Sequence, residues 1–508
     1  MPSSVAVADS PAGFADRVRS ALIWRWGSQV VMQVITWTAT IVVVRLLEPS
    51  DYGLFAMTQA LLTALNFLNG YSFATSLIQA ETVDERRIGQ VFSLLIVSNA
   101  LLAMVQFACA PLAADYYGQP LIADMLRVQS LVYISTPLIA LPSALLARKL
   151  DFRRQAIVNL FTAITGASVS LGLAWLGFGV WALVWAPIAM FWVRGIGLTL
   201  LAGGLVKPVF DFRGARDIVT FGTTLTLCQL FWIIQSQSDI VIAGRSFDPH
   251  QLGLYSESLF LVLIFTGRFL PPLNEVAFPA FAELHNAGRP IGPAFVAGIG
   301  MIMLVAVPFH IGLSLVAGPL VTTFFGPKWL EMIPIVAGLA IVMPLMALQI
   351  ACAPATNALG RPGIYLATSA AGAVIMPTAY LIGVQGGAMG LVTAWQVAAP
   401  VLLLVTLALT LPAIGARAGE LLLALLPSFS GSAVMAGAVM AVQPLVEPLP
   451  ALARLAILGG VGFVVYCGAI RLIWPQLWRD ALVKLRRQPA TAPAPDGQTT
   501  TMPGSSGA

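Results

Sequence analysis

The sequence runs to 508 residues, of which 58% are hydrophobic and 10% charged, against roughly 25% charged in an ordinary soluble domain. Such a chain cannot cover a water-facing surface and must be solvated by lipid, which excludes a soluble globular protein. The formal net charge of +5 does not mark a nucleic-acid partner, because Lys and Arg are distributed loop by loop and not gathered in one basic patch.

After a polar segment at 1–20, the apolar residues fall in blocks separated by short polar, Pro- or Gly-containing breaks. The blocks run 21–47, 52–79, 89–112, 120–147, 155–176, 179–206, 217–244, 251–282, 291–316, 329–357, 363–383, 387–412, 418–443 and 449–475. Each reaches the roughly 20 residues that a helix needs to cross a bilayer core. This predicts an all-α membrane protein of about 14 transmembrane helices. A spanning barrel is excluded because runs such as Val401–Val405 lack the polar/apolar alternation of barrel strands.

Alternate loops hold the basic residues: Arg86 and Arg87, then Arg148 to Arg154, then Lys207 to Arg216, then Arg289, Arg361 and Arg417, then Arg471 to Arg487. The loops between them hold little beyond Arg45, Arg245, Lys328 and Arg454. The positive-inside rule therefore places both termini in the cytoplasm, and an even helix count agrees. The first apolar block is too long for a cleaved signal core. Cys109, Cys228, Cys352 and Cys467 stand apart in apolar blocks and read as small core residues.

One internal repeat stands out. Arg45-Leu-Leu-Glu-Pro-Ser-Asp-Tyr-Gly-Leu-Phe55 returns as Arg245-Ser-Phe-Asp-Pro-His-Gln-Leu-Gly-Leu-Tyr255. The spacing divides the chain into a six-helix N-lobe (21–206) and a six-helix C-lobe (207–412). Two further helices lie in 413–475, and a cytoplasmic tail occupies 476–508. Because six is even, both lobes enter the membrane in the same direction, as in transporters built from parallel repeats. The tail from about residue 488 is rich in Pro, Ala, Thr, Gly and Ser and is expected to be disordered.

The two copies of that motif, together with Leu146-Ala-Arg-Lys-Leu-Asp-Phe-Arg-Arg154, Ser238-Asp-Ile-Val-Ile-Ala-Gly-Arg245 and Phe325-Gly-Pro-Lys-Trp329, resemble the polysaccharide transporter family, near the colanic-acid-type exporters. That family belongs to the flippase superfamily that also holds multidrug extruders and the lipid II flippase. The likeness covers about residues 20–410. It implies a V-shaped, two-lobed bundle in the bacterial cytoplasmic membrane that moves an undecaprenyl-diphosphate-linked oligosaccharide by alternating access. It also implies membrane lipids as surroundings, polysaccharide polymerase and assembly proteins as partners, and no cofactor.

A diphosphate-linked glycan is anionic at one end and densely hydroxylated beyond it, so its path needs cations together with amides and hydroxyls. Gln29, Gln33, Thr36 and Thr40 share one face of the first block, and Gln59, Thr63, Asn66 and Gly70 repeat that spacing in the second. Such amides either line a cavity or join helix to helix. Gln235 and Asp239 lie in the seventh block, and Glu257, Arg268 and Glu275 form one stripe on the eighth, beside Pro271 and Pro272. Charge inside a bilayer is costly and marks a functional path. Arg268 is the leading candidate for the diphosphate, with Asp239, Glu257 and Glu275 as charge-balancing or ion-coupling groups. The alternative for Arg268 is a buried pair with Asp239 or Glu275. Arg45 and Arg245, at helix ends, are expected to form gate or loop pairs, the simpler reading being a turn held by Glu48 or Asp248. Trp329 and Trp474 read as interfacial anchors.

The sequence has no His-Glu-x-x-His, Cys-x-x-Cys or nucleotide-binding loop, and its three histidines are far apart, so neither an enzyme nor a self-contained ATPase is expected. Two readings compete with the flippase. A drug or cation antiporter of the same superfamily would want an acidic, aromatic pocket, and a membrane glycosyltransferase would want a large outer loop that the spacing does not leave.

Overall fold

The computed structural model describes residues 31–66, 68, 69, 73, 74, 77, 84–148, 152–211, 216–476 and 479. Among them every regular element is helical. In chain order the helices are α1 (Val31–Leu46), α2 (Pro49–Asn66), α3 (Glu85–Tyr117), α4 (Leu121–Gln129), α5 (Leu131–Arg148), α6 (Phe152–Trp175), α7 (Trp181–Leu201), α8 (Arg216–Ser246), α9 (Pro249–Asn286) and α10 (Gly292–Leu315). Then come α11 (Ala317–Phe324), a 3-10 turn at Pro327–Met332, α12 (Ile333–Ala358), α13 (Pro362–Gly383), α14 (Gly387–Ile414), α15 (Ala418–Val446) and α16 (Ala451–Ile473). Ten segments among the described residues are long and apolar enough to cross a membrane, one of them, Pro362–Ile414, containing both α13 and α14. The chain is a multi-pass membrane protein.

The helix ends follow local chemistry. Asp84 starts α3 by accepting from the Arg87 N–H at 2.9 Å, and α3 stops where Gly118 turns left-handed at φ 65°, a conformation that costs glycine little. Asp248 caps α9 through the Gln251 N–H at 2.7 Å, with Pro249 in the first turn, where its missing N–H is harmless. The block read at 120–147 is one membrane-length span, Leu121–Ala147. Within it the helix breaks at Ser130 into α4 and α5. The block read at 291–316 continues into α11 and the 3-10 turn before α12 begins.

The packing falls into two groups joined in the middle. In the first half α3 packs on α4 and α5, and α7 on α5 and α6; in the second, α12 lies among α9, α10 and α14, while α13 pairs with α8 and α14. α15 and α16 pack on each other and on α10 and α11. The halves meet where α2 lies along α9 and against α8, and the largest buried cluster spans this junction, from Val43, Tyr52 and Met57 to Leu252, Tyr255, Trp329 and Trp395.

Candidate functional site

At one end of the junction the two copies of the repeated motif interlock. Gly53 of α2 and Gly253 of α9 touch through their backbones: a Cβ built on Gly53 would fall on the Pro249 carbonyl, and one on Gly253 would fall on the Pro49 carbonyl. Only a residue without a side chain permits that approach. The arginines of the motif do not bond within their own turns, as the simpler reading expected. Arg45 crosses to the end of α11, where its Nε donates to the Phe324 carbonyl at 3.1 Å and Nη2 to that of Thr323. Arg245 crosses the other way, to the end of α3, donating from Nη1 to the Tyr116 carbonyl at 3.3 Å with its guanidinium 5.0 Å from the Tyr116 ring centre. The physical reason is common to both. The last carbonyls of a helix are unpaired and carry partial negative charge, and a guanidinium satisfies them with several donors.

Glu48, freed from Arg45, pairs instead with Lys328 at 2.7 Å, while Asp51 accepts from the Glu48 N–H at 3.0 Å. Trp329 is not an interfacial anchor. It is fully buried, donates from Nε1 to the Val44 carbonyl at 2.9 Å and meets the Tyr52 ring edge-on at 5.3 Å. The segment Phe325–Trp329 thus ties the second half to the end of α1.

A second cluster lies beside the motif. Asp239 of α8 is buried and accepts from the Tyr255 hydroxyl at 3.0 Å and from the Ile240 N–H at 2.8 Å. The Tyr255 oxygen in turn accepts from Trp395 Nε1 at 3.0 Å, and Tyr380 lies with its ring 5.8 Å from that of Trp395. Asp239 is therefore engaged with Tyr255 and not with Arg268. Sequence reading singled out neither Tyr255 nor Trp395, although the repeat carried the signal: the first copy has Ala39 and Phe55 where the second has Asp239 and Tyr255.

Further along the same helices are the remaining candidates. Gln33 of α1 and Gln59 of α2 are half-buried and Asn66 is exposed; Gln29 lies outside the described residues. Gln235 of α8 is half-buried, its side chain seated against Gly372 of α13, where a Cβ would come within 2.6 Å of its Cδ. On α9, Glu257 is half-buried and Arg268 and Glu275 are exposed. Among the described residues Arg268 has no carboxylate within ion-pair distance, so the alternative of a buried pair with Asp239 or Glu275 is not what the structure holds. α9 carries Pro271, Pro272 and Pro279 within it, each removing one backbone donor from the helix ladder. The packing of α2 on α8 and α9 places Gln59, Gln235, Glu257 and Arg268 on mutually touching helices.

Among proteins of known sequence, the family described as polysaccharide biosynthesis protein matches residues 42–334. The teichuronic acid biosynthesis protein of Bacillus subtilis is 26% identical over 54% of this chain and 58% of its own length. The succinoglycan biosynthesis transport protein of Rhizobium meliloti is 23% identical over 59% and 61%, and the lipopolysaccharide biosynthesis protein WzxC of Escherichia coli 20% over 59% and 62%. The chain thus spans about three-fifths of the length of these curated relatives. The solved structure of a lipid II flippase, MurJ, in an inward closed conformation superposes with a TM-score of 0.70 at 12% identity, covering 90% of this chain and 99% of that one. An inward-facing multidrug transporter gives 0.57 at 14% identity, covering 78% and 100%. The chain shares its fold with both of these solved structures.

Proposed function

The chain belongs to the polysaccharide biosynthesis protein family, and on that premise we propose that it is a flippase carrying undecaprenyl-diphosphate-linked oligosaccharide across the bacterial cytoplasmic membrane. The observation that carries this reading is the arrangement at the junction. One end of the bundle is closed by Gly53, Gly253, Arg45 and Arg245, and beyond that closure amides and a guanidinium with no carboxylate partner among the described residues stand on mutually packed helices. A carrier that opens alternately to the two sides needs a seam that can part, and a diphosphate-sugar needs cations and amides beneath it. The names of the relatives, which speak of polysaccharide biosynthesis and of transport, favour the same substrate class.

The finer architecture is part of the proposal. Fourteen transmembrane helices form two parallel six-helix repeats, 21–206 and 207–412, in a V-shaped bundle, with two more helices in 413–475. Both termini are cytoplasmic, which makes the Gly53 end the outer one, and polymerase and assembly proteins receive the product outside. Arg268 grips the diphosphate, and Gln29, Gln33, Gln59, Asn66 and Gln235 bind the rest of the substrate along the path. Asp239, Glu257 and Glu275 set the charge of the empty path, and Arg45 and Arg245 latch the outer gate. No step in this cycle makes or breaks a covalent bond.

The test is genetic and chemical. Deletion of the gene should halt the polysaccharide and leave its lipid-linked precursor on the cytoplasmic leaflet, and expression of the chain should restore export. Restored resistance to cationic drugs, with the polysaccharide unaffected by deletion, would favour the antiporter instead.

A further inference from the structure

We propose that the second half contains a binding site for one neutral sugar ring of the transported glycan, in a cavity of about 170 Å³ between α8, α9, α12, α13 and α14. The inference rests on the flippase reading and adds to it a recognition site separate from the diphosphate contact.

The lining carries the argument. It offers two aromatic side chains, Trp232 and Tyr365, three amides, Gln235, Asn274 and Gln349, and hydroxyls such as that of Thr368, and no Asp, Glu, Lys or Arg lines it. A pyranose presents hydroxyls that both donate and accept, around faces of C–H bonds. Amides match the first because each donates and accepts, and aromatic rings cover the second. A diphosphate would call for cations and a cationic drug for carboxylates, and the cavity supplies neither.

The hydrogen bonds within the wall sharpen the match. Thr368 donates to the Tyr365 carbonyl at 2.9 Å, Thr356 to that of Ala353 at 3.1 Å and Thr406 to that of Leu402 at 2.9 Å. These hydroxyls are thereby fixed as acceptors toward the cavity. The amides of Gln235, Asn274 and Gln349 are bonded to no other side chain among the described residues and are half-buried, which leaves their hydrogen bonds to whatever fills the space. Gln235 is also held in place, since any side chain at Gly372 would come within 2.6 Å of its Cδ and 3.2 Å of its Cγ. The size is smaller than the roughly 300–1,000 Å³ of pockets that enclose drug-sized ligands, so the cavity seats one ring of an oligosaccharide and leaves the rest outside.

The position suits the task. Tyr365 and Thr368 lie near the start of α13 and Thr406 and Thr410 near the end of α14, at the end of the lobe flanked by Arg361 and Arg417. That is the cytoplasmic end in the proposed orientation, where a lipid-linked sugar arrives.

The experiment is equilibrium binding to the purified full-length protein in detergent. The probes are undecaprenyl diphosphate alone and undecaprenyl diphosphate bearing a single glucose or galactose. The wild type should bind at least one sugar-bearing lipid about tenfold tighter than the bare diphosphate, the effect of roughly 1.4 kcal/mol. Gln349→Leu and Asn274→Leu should each erase that preference and leave the affinity for the bare lipid unchanged, and Gly372→Ala, which displaces Gln235, should weaken it. Equal binding of all three lipids by the wild type, or an equal loss for all three in the variants that fold, overturns the sugar site while leaving the flippase reading intact. Binding of none of them by the wild type overturns both.

Discussion

Gly53 and Gly253 meet backbone to backbone across the two halves of the bundle, each glycine's nitrogen about 3 Å from where the other's Cβ would stand (3.0 and 3.1 Å). Two helices of opposite halves approach this closely only because both positions lack a side chain. Alanine at either position should therefore wedge the seam. The overpacking costs about 1–3 kcal/mol, and since the strain is present only when the seam is closed, it favours the parted state. Gly53→Ala and Gly253→Ala should reduce export by similar factors, while Gly267→Ala, with open space around its Cα, should not. Export and membrane abundance measured together check this. A loss confined to one of the two glycines would show that the seam is not symmetric in its working.

The pair Glu48–Lys328, 2.7 Å apart and partly exposed, contributes little to stability by itself, as exposed ion pairs are worth about 0–1 kcal/mol. Its use is as a reporter. In a background without the native cysteines, Glu48→Cys with Lys328→Cys should be bridged through disulfides by a short bifunctional thiosulfonate, which spans the gap left by the two long side chains and locks this end shut. Export should stop and return on reduction. Unchanged export in the crosslinked protein would mean that this end does not part during transport.

Tyr255 and Asp239 bind each other in the junction, and the Trp395 N–H completes the chain. Tyr255→Phe leaves both a buried carboxylate oxygen and a buried indole N–H short of a partner, which costs roughly 1–3 kcal/mol. Asp239→Asn retains an acceptor oxygen for the tyrosine and should unfold closer to the wild type. Thermal unfolding in detergent gives the order: wild type, then Asp239→Asn, then Tyr255→Phe. If Asp239→Asn keeps wild-type stability and yet abolishes export, Asp239 serves ion coupling as well as packing.

Orientation follows from the Lys/Arg asymmetry. Cysteines placed at the exposed Gln385 and Glu447 should react with an impermeant thiol reagent in intact cells, and cysteines at Arg289 and Arg361 only after lysis. Gly118 is a poor site for this probe because its φ of 65° strains any side chain. The reverse labelling pattern would exchange the inner and outer gates.

Helix positions were legible because apolar runs and their breakers are local. The block read at 363–383 is α13 at Pro362–Gly383, and that at 418–443 is α15 at Ala418–Val446. The break at Ser130 was not, since no Gly or Pro marks it and Ser130 itself keeps right-handed helical angles, φ −60° and ψ −20°. The repeated motif announced a shared turn, but not that its arginines reach across to helix ends more than a hundred residues away in sequence. Composition assigns a tryptophan to an interface by default, whereas Trp329 is buried by a contact with Val44 that no local pattern encodes. The clearest missed signal lay in the difference between the copies. Ala39 and Phe55 against Asp239 and Tyr255 mark a polar pair that one half has and the other lacks.

The central claim is that this chain moves a diphosphate-linked glycan along a path that holds Arg268, and it is tested most directly by transport in proteoliposomes. The purified protein is reconstituted with a lipid-linked oligosaccharide, and the fraction reaching the far leaflet is followed with a lectin that cannot cross. Wild-type protein should move the lipid. Arg268→Lys, which keeps the charge but loses the two-pronged fork, should retain part of the rate, and Arg268→Ala less than about a tenth, a loss of more than 1.4 kcal/mol in barrier terms. All three should reconstitute in equal amounts, because Arg268 is exposed and holds no carboxylate that its removal would strand. Transport by Arg268→Ala at the wild-type rate would contradict the assigned path, and no transport by the wild type would contradict the function itself.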